Sequence, residues 1–123
     1  MTDQPTAQRF VDYHIRNPSI YFALRRMSVD LVLRGRKHYG MKSLFEVLRY
    51  ERARLTHEDE EFKINNAYSS YYARLLMFNV PRLEGFFGVR RMTERFDPGE
   101  WHELRRLHGH ENPETWGRLI NIL

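Results

Sequence analysis

Three prolines that each follow an Asn or Asp divide this chain into segments, at Asn17-Pro18, Asp97-Pro98 and Asn112-Pro113. An Asx side chain can accept a hydrogen bond from first-turn amides, and proline fits the first helical position, so each pair predicts a helix start. Pro81 predicts an end instead, because it disfavours helical geometry at the residue before it and so stops a helix near Asn79. This punctuation predicts a mostly helical fold.

After the first of these helix starts, apolar residues recur at helical spacing and form a stripe along one face. They are Ile20, Leu24, Met27 and Leu31. It predicts a helix from Pro18 to Arg34 that packs on a core, with Gly35 as a left-handed cap just past its end. The capping box Ser43-Leu44-Phe45-Glu46 predicts that the next helix starts at Ser43 and runs to about Leu55.

A third helix is predicted from Asn65-Asn66 to about Asn79. The acidic run before it, His57 to Glu61, is predicted to be an exposed connector. Within the helix, Tyr68, Tyr71 and Tyr72 recur at helical spacing with two leucines, which favours half-buried packing residues over a platform for stacking bases.

The remainder of the chain predicts smaller elements. Two glycines and β-favouring residues suggest a short β-hairpin or an irregular turn near 83–96, and two short helices should follow, from Pro98 to about His108 and from Pro113 to Leu123. We therefore expect a helical domain over residues 1–95 and a C-terminal helical extension over 96–123. The extension packs either on that domain or on a second copy in a homodimer.

Composition limits the class of protein. A chain of 123 residues is near the common size of one domain, and no apolar run approaches the roughly 20 residues of a membrane span. There is no cysteine for a disulfide, and the first residues lack the charged and apolar regions of a secretory signal. These features predict a cytoplasmic protein that does not contact membranes.

Positive charge is concentrated in the first two thirds of the chain. Residues 16–56 hold ten basic and three acidic residues, and 17 of the 20 basic residues are arginine, whose planar fork suits phosphate and guanine. A polyanion is the natural partner. Compositional bias of the gene produces the same arginine excess, so the count alone is not specific.

A helix with a polar first turn, preceded by arginine-rich helices and followed by Val89-Arg90-Arg91, is the layout of a helix-turn-helix or winged-helix reader of double-stranded DNA. We expect base contacts from the outward face of this helix, because asparagine pairs with adenine and arginine with guanine. The predicted nucleic-acid-binding residues are Arg36, Lys37, Lys42, Ser43, Lys63, Asn65, Asn66, Ser69, Ser70, Arg74, Arg90 and Arg91. The alternative for Asn65 and Asn66 is helix capping.

Several of these segments also carry a resemblance. They are Gly35-Arg36-Lys37-His38-Tyr39-Gly40, Phe62-Lys63-Ile64-Asn65-Asn66, Tyr72-Ala73-Arg74-Leu75-Leu76 and Phe86-Phe87-Gly88-Val89-Arg90-Arg91. Over about residues 10–91 the chain resembles a family of small uncharacterised proteins of bacteriophage and prophage genomes. The resemblance implies a phage-related context and carries over no activity, and the tail after Arg95 lies outside it.

Signals for catalysis are weak. There is no cysteine, no glycine-rich phosphate loop and no recognisable carboxylate pair, so we expect no enzyme, no cofactor and no metal. His102, His108, His110 and Glu111 cluster, but His108-Gly109-His110 falls where a helix should end, which favours a solvated linker. The sequence thus predicts a DNA-binding accessory or regulatory protein. The alternative is a phage inhibitor that binds a host or defence enzyme, since arginine, tyrosine and tryptophan are also enriched at protein interfaces.

Overall fold

The computed structural model describes residues 6–55, 64–89, 95–112 and 114–115. These residues form a mostly helical domain, as predicted, and contain no strand. The α-helices are α1 (Ala7–Arg16), α2 (Pro18–Leu33), α3 (Met41–Leu55), α4 (Ser69–Asn79) and α5 (His102–His108), with short 3-10 turns at Asn66–Tyr68, Pro81–Leu83 and Pro98–Glu100. None of these helices combines the length and the apolar character that crossing a membrane requires.

The first helix, α1, is not predicted by the proline positions. It begins after Thr6, whose Oγ accepts a hydrogen bond from the Arg9 amide at 3.3 Å. Phe10, Val11 and His14 follow one another at helical spacing and are buried. The apolar stripe is short and contains a histidine, so it is a weak signal in the sequence even though it fills the centre of the domain.

The second helix ends within one residue of its predicted boundary. Gly35 has φ +91° and its amide bonds the Val32 carbonyl, which confirms the predicted left-handed cap. The predicted cap at the other end is wrong, because Asn17 makes no side-chain hydrogen bond to the first turn of α2. Its Nδ2 instead donates to the Tyr13 carbonyl at 2.9 Å and so closes α1.

The third helix runs antiparallel to α2. Arg52, near the end of α3, donates from Nη2 to Ser19 Oγ at 3.1 Å, next to the start of α2. The helix begins at Met41, two residues before the predicted start, so Ser43 lies inside its first turn. The loop that joins the two helices is therefore at the opposite end of the pair from Ser19.

The fourth helix is the centre of the core. Seven of its eleven residues are buried, including Tyr71, Tyr72, Leu75 and Leu76. The tyrosines are packing residues, as predicted, and Tyr71 and Tyr72 are fully rather than half buried. The helix ends at Asn79, as Pro81 predicts. One apolar cluster joins α4 to residues of all the other helices, including Phe10 and Leu104.

The chain after α4 turns rather than forming a strand. Residues 83–89 are the end of a 3-10 turn and a loop, with φ +71° at Gly85, so the first arm of the predicted hairpin is not formed. Phe86 and Phe87 are buried, because their rings fill the core instead of alternating across a sheet. Residues 90–94, where the second arm was predicted, lie outside the described residues.

The C-terminal extension packs on the same core. Asp97 Oδ1 accepts a hydrogen bond from the Gly99 amide at 3.0 Å, so this Asx-Pro pair is a cap as predicted, but it starts a 3-10 turn and α5 begins later. Phe96 and Leu104 are buried in the main cluster. The second predicted helix, from Pro113 to Leu123, lies almost wholly outside the described residues, as does the acidic run at 57–61.

Candidate functional site

The helix predicted to read DNA is α4, and seven of its eleven residues are buried. Ser69, predicted on an outward face, is only 7% exposed, so this prediction is wrong. Ser70 and Arg74 are half buried, and Arg74 already interacts with other groups of the chain. The physical reason is that apolar side chains surround α4 on more than one side, which places the helix in the core instead of on the surface.

The two asparagines before α4 stabilise the chain locally. Asn65 Oδ1 accepts a hydrogen bond from the Ala67 amide at 2.9 Å, which is the capping alternative. Asn66 Oδ1 accepts from Arg49 Nη2 at 2.5 Å, and the same nitrogen donates to the Ile64 carbonyl at 2.9 Å. Both side chains are exposed, but their oxygens already accept hydrogen bonds from this chain. Lys63 lies outside the described residues.

A second group of predicted residues does lie together on the surface. Arg36, Lys37, Lys42 and Ser43 are all exposed, and they occupy the loop and first helical turn that we call the basic loop, residues 35–43. No Asp or Glu occurs between positions 31 and 45. The Tyr39 amide donates to the Phe86 carbonyl at 3.3 Å, which fixes the basic loop beside residues 84–89. The predicted Arg90 and Arg91 follow this segment, outside the described residues.

Several exposed arginines of the chain are paired with carboxylates, whereas the cations of the basic loop are not paired among the described residues. Arg34 lies 3.0 Å from Asp30, Arg54 2.9 Å from Glu51, and Arg95 2.8 Å from Glu100, measured between nitrogen and carboxylate oxygen. Within the described part of the chain, Arg36, Lys37 and Lys42 form no such ion pair. Their charge is therefore available to an external anion.

A buried polar network, separate from the basic loop, surrounds His108. His108 Nδ1 is 2.5 Å from Glu111 Oε2, and its Nε2 is 2.7 Å from His14 Nε2. Both histidines are almost completely buried, with 1% and 2% of their surfaces exposed. The prediction of a solvated linker is thus wrong for His108. The residue ends α5, and its ring packs against Tyr21 with centroids 4.3 Å apart.

The hydrogen positions in this network follow from the charge of Glu111. A carboxylate only accepts, so His108 donates to it through Nδ1–H. The Nε2 atoms of His108 and His14 share one further hydrogen bond. His14 Nδ1 and Arg25 Nε are buried and have no hydrogen-bond partner among the described residues.

The other oxygen of Glu111 is also used. Tyr21 donates from its hydroxyl to Oε1 at 2.9 Å, and Asn79 Nδ2 donates to that hydroxyl at 3.0 Å. Arg25 Nε lies 3.0 Å from Oε1. Burial alone would raise the pKa of Glu111, but the hydrogen bonds from His108 and Tyr21 and the charges of His108 and Arg25 outweigh it and lower the pKa. Burial, and then the Glu111 charge, raise the pKa of Tyr21.

The network makes stability depend on pH through His14. Burial, and then the neighbouring His108, lower the pKa of His14 from 6.5 to about 3. Between these values the unfolded chain binds one more proton than the folded chain, so the free energy of unfolding should fall as the pH falls. The expected contribution is up to about 1.4 kcal/mol per pH unit. Glu111, whose folded pKa is also lowered, adds to the loss at more acidic pH.

Replacing this histidine tests the assignment. We expect His14→Phe, which keeps a buried ring, to show a shallower decrease of unfolding free energy between about pH 6.5 and 4 than the parent chain. Urea unfolding at several pH values measures both slopes. Parallel slopes in the two proteins would mean that His14 titrates in the folded chain as it does in the unfolded one.

The hydrogen bonds of this network join α1, α2, α4 and the turn after α5. The described residues contain no group of three or more His, Asp or Glu side chains arranged to hold a metal ion. His14, Tyr21 and Arg25 belong to this network but are far in sequence from His108, so no local motif identifies them. In the sequence, the one signal for the network is the His-x-x-Glu spacing of His108 and Glu111 next to a predicted helix end.

Comparisons with protein-family models, with curated proteins and with solved structures give no match to this chain.

Proposed function

We propose that this protein binds double-stranded DNA as an accessory or regulatory factor, and that the basic loop contacts the phosphates. The observation that carries the proposal is that Arg36, Lys37 and Lys42 are exposed together without carboxylate partners among the described residues. Of the residues predicted from the sequence, the proposal includes Arg36, Lys37, Lys42 and Ser43. It does not include base contacts from α4.

The position of the basic loop adds to its attraction for anions. Lys42 and Ser43 lie in the first turn of α3, a helix of 15 residues. Amide groups at a helix N-terminus are oriented towards an approaching anion, and the helix dipole favours negative charge there. Arg36 can supply a bidentate contact to a phosphate, which the lysines cannot.

Contacts to phosphates position a protein on DNA without reading its sequence. Asn65 and Asn66 already accept hydrogen bonds from Ala67 and Arg49, and Ser69 is buried, so base contacts are not part of this proposal. We therefore expect duplexes of unrelated sequence to bind with similar affinity and with a strong dependence on salt.

Removal of the three cations should show this directly. A variant with Arg36→Ala, Lys37→Ala and Lys42→Ala should bind with a weaker salt dependence. The magnitude of the slope of log affinity against log salt should fall by about three, because each phosphate contact contributes about 0.9 to it. At about 0.1 M salt this corresponds to a loss of nearly three orders of magnitude in affinity, relative to the reference of about 1 M salt. Fluorescence anisotropy with a labelled random duplex, at about 50 and 200 mM salt, measures both quantities.

A matched control has the same change in net charge at another place. Arg16→Ala, Arg105→Ala and Arg106→Ala remove three cations from α1 and α5. Arg16 lies just before α2, and the basic loop follows the other end of this 16-residue helix, roughly 24 Å away. The control should change the salt slope by less than one. Equal losses in the two triple variants would show that only net charge matters and would contradict the proposal.

A second candidate function is binding to a host or defence protein. The observation in its favour is a stripe on α3 where Val47 and Tyr50 are 40% and 64% exposed, flanked by Ser43 and Arg54 at helical spacing. Exposed aromatic and arginine side chains are typical of interface hot spots. This function would be favoured if duplex binding is absent at low salt while Tyr50→Ala abolishes capture of a partner that the parent chain binds.

A further inference from the structure

A pocket of about 660 Å³ lies between α2 and the turn after α4, outside the basic loop. One wall consists of Arg25, Val29 and Leu33, which follow one another at intervals of four on a single face of α2. The other wall is the segment from Val80 to Arg82, and Glu111 lies at the pocket as well. This volume is in the range of about 300–1,000 Å³ that is usual for small-molecule sites.

The charges of the pocket leave it positive. Its two carboxylates are already paired, Glu111 with Arg25 at 3.0 Å and Asp30 with Arg34 at 3.0 Å. Arg26 and Arg82 also line the pocket and are exposed, and within the described part of the chain neither forms an ion pair. Two guanidinium groups therefore remain to receive an anion.

Arg25 connects the pocket to the buried network. Its side chain is 43% exposed, while the side chain of Glu111 beside it is 4% exposed. The Nε–H of Arg25 is buried and finds no hydrogen-bond acceptor in the described residues, so its contact with Glu111 is a charge pair and not a directed hydrogen bond. The positive charge of Arg25 thus offsets the negative charge of the Glu111 carboxylate, which lowers the repulsion that an incoming anion would meet.

Apolar groups complete the lining. Val29 and Leu33 from α2 lie opposite Val80 and Pro81. Leu33, the last residue of α2, is 64% exposed and so can contact a ligand. Sites that combine apolar walls with a few convergent charged groups orient a ligand by its charge and gain affinity from its apolar part.

We propose that this pocket binds a small organic anion, a phosphate ester or carboxylate that also carries an apolar group. Arg26 and Arg82 hold the anionic group, and Val29, Leu33 and Pro81 contact the apolar part. Arginine is suited to this role because its fork matches the oxygens of phosphate and carboxylate. The site does not depend on DNA binding, since it shares no residue with the basic loop.

Three probes separate the parts of this proposal. In titrations of the full chain followed by amide ¹H–¹⁵N spectra, phenyl phosphate should bind at least about tenfold more tightly than inorganic phosphate or benzyl alcohol. The shifts should occur in residues 25–33 and 80–82. Equal affinity for phenyl phosphate and inorganic phosphate would overturn the proposal, as would shifts confined to residues 35–43.

Variants then test the assigned cations. Arg82→Ala should weaken phenyl phosphate binding about tenfold, which is the loss expected for one charge-assisted contact near the surface, and Arg82→Lys should weaken it less. Lys37→Ala, which removes an equal charge from the basic loop, should leave this affinity unchanged. Equal losses in Arg82→Ala and Lys37→Ala would contradict the assignment. If Arg82→Ala does not fold, the proposal is tested by the parent chain alone, which must bind phenyl phosphate more tightly than the other two probes.

Discussion

Phe10→Ala should lower the free energy of unfolding by about 3–5 kcal/mol, the usual loss for a fully buried phenylalanine. Phe10 has no exposed surface, and its ring packs edge-on to Tyr72 with centroids 4.8 Å apart and stacks on Tyr71 at 5.1 Å. It also contacts Phe96 edge-on at 5.6 Å. One ring therefore joins α1, α4 and the segment before α5.

This loss is large for a domain whose total stability is about 5–15 kcal/mol. Urea unfolding followed by circular dichroism gives the difference between Phe10→Ala and the parent chain. The matched control is Phe22→Ala, whose side chain on α2 is 52% exposed, and we expect a change of less than about 1 kcal/mol there. Similar losses at Phe10 and Phe22 would contradict the packing described for α1.

Glu111→Ala should be comparably destabilising, by about 3–5 kcal/mol, because it removes the acceptor shared by several buried donors. The Tyr21 hydroxyl and His108 Nδ1 each lose a hydrogen-bond partner, and Arg25 loses its counter-charge. Chemical denaturation at neutral pH measures the change. Glu111→Gln should recover only part of it, since its amide oxygen can accept from Tyr21 while a charge for Arg25 is still missing.

The control for this position is Glu84→Ala, an exposed glutamate in the turn after α4. Its effect should stay within about 0.5 kcal/mol, as is usual for surface substitutions. If Glu111→Ala costs no more than Glu84→Ala, the buried network contributes nothing measurable to stability.

Local signals in the sequence predicted the helix boundaries better than they predicted the orientation of the helices. Gly35 and Pro81 act through their own backbone geometry, so the ends of α2 and α4 could be located from them. Which face of α4 is buried depends on contacts with α1, which the sequence signals did not reveal. The polar residues at the start of α4 therefore predict an exposed face, although Ser69 is buried.

The buried network shows a different limit. His14 and His108 are 94 positions apart, and no spacing rule connects them. A histidine in a polar segment usually indicates a surface position, and only the folded chain shows that Phe10, Tyr21 and Tyr72 surround these rings. The basic loop, in contrast, could be predicted, because a loop of like charges cannot be buried at low cost.

The proposed binding of DNA can be tested most directly by amide chemical-shift mapping of the ¹⁵N-labelled full chain, titrated with a short duplex at low salt. The account predicts that the largest shifts occur in residues 36–43 and in residues 86–89 beside them, with little change in α4. Largest shifts in Ser69–Asn79 or in α5, or no shift at any duplex concentration, would contradict the role of the basic loop.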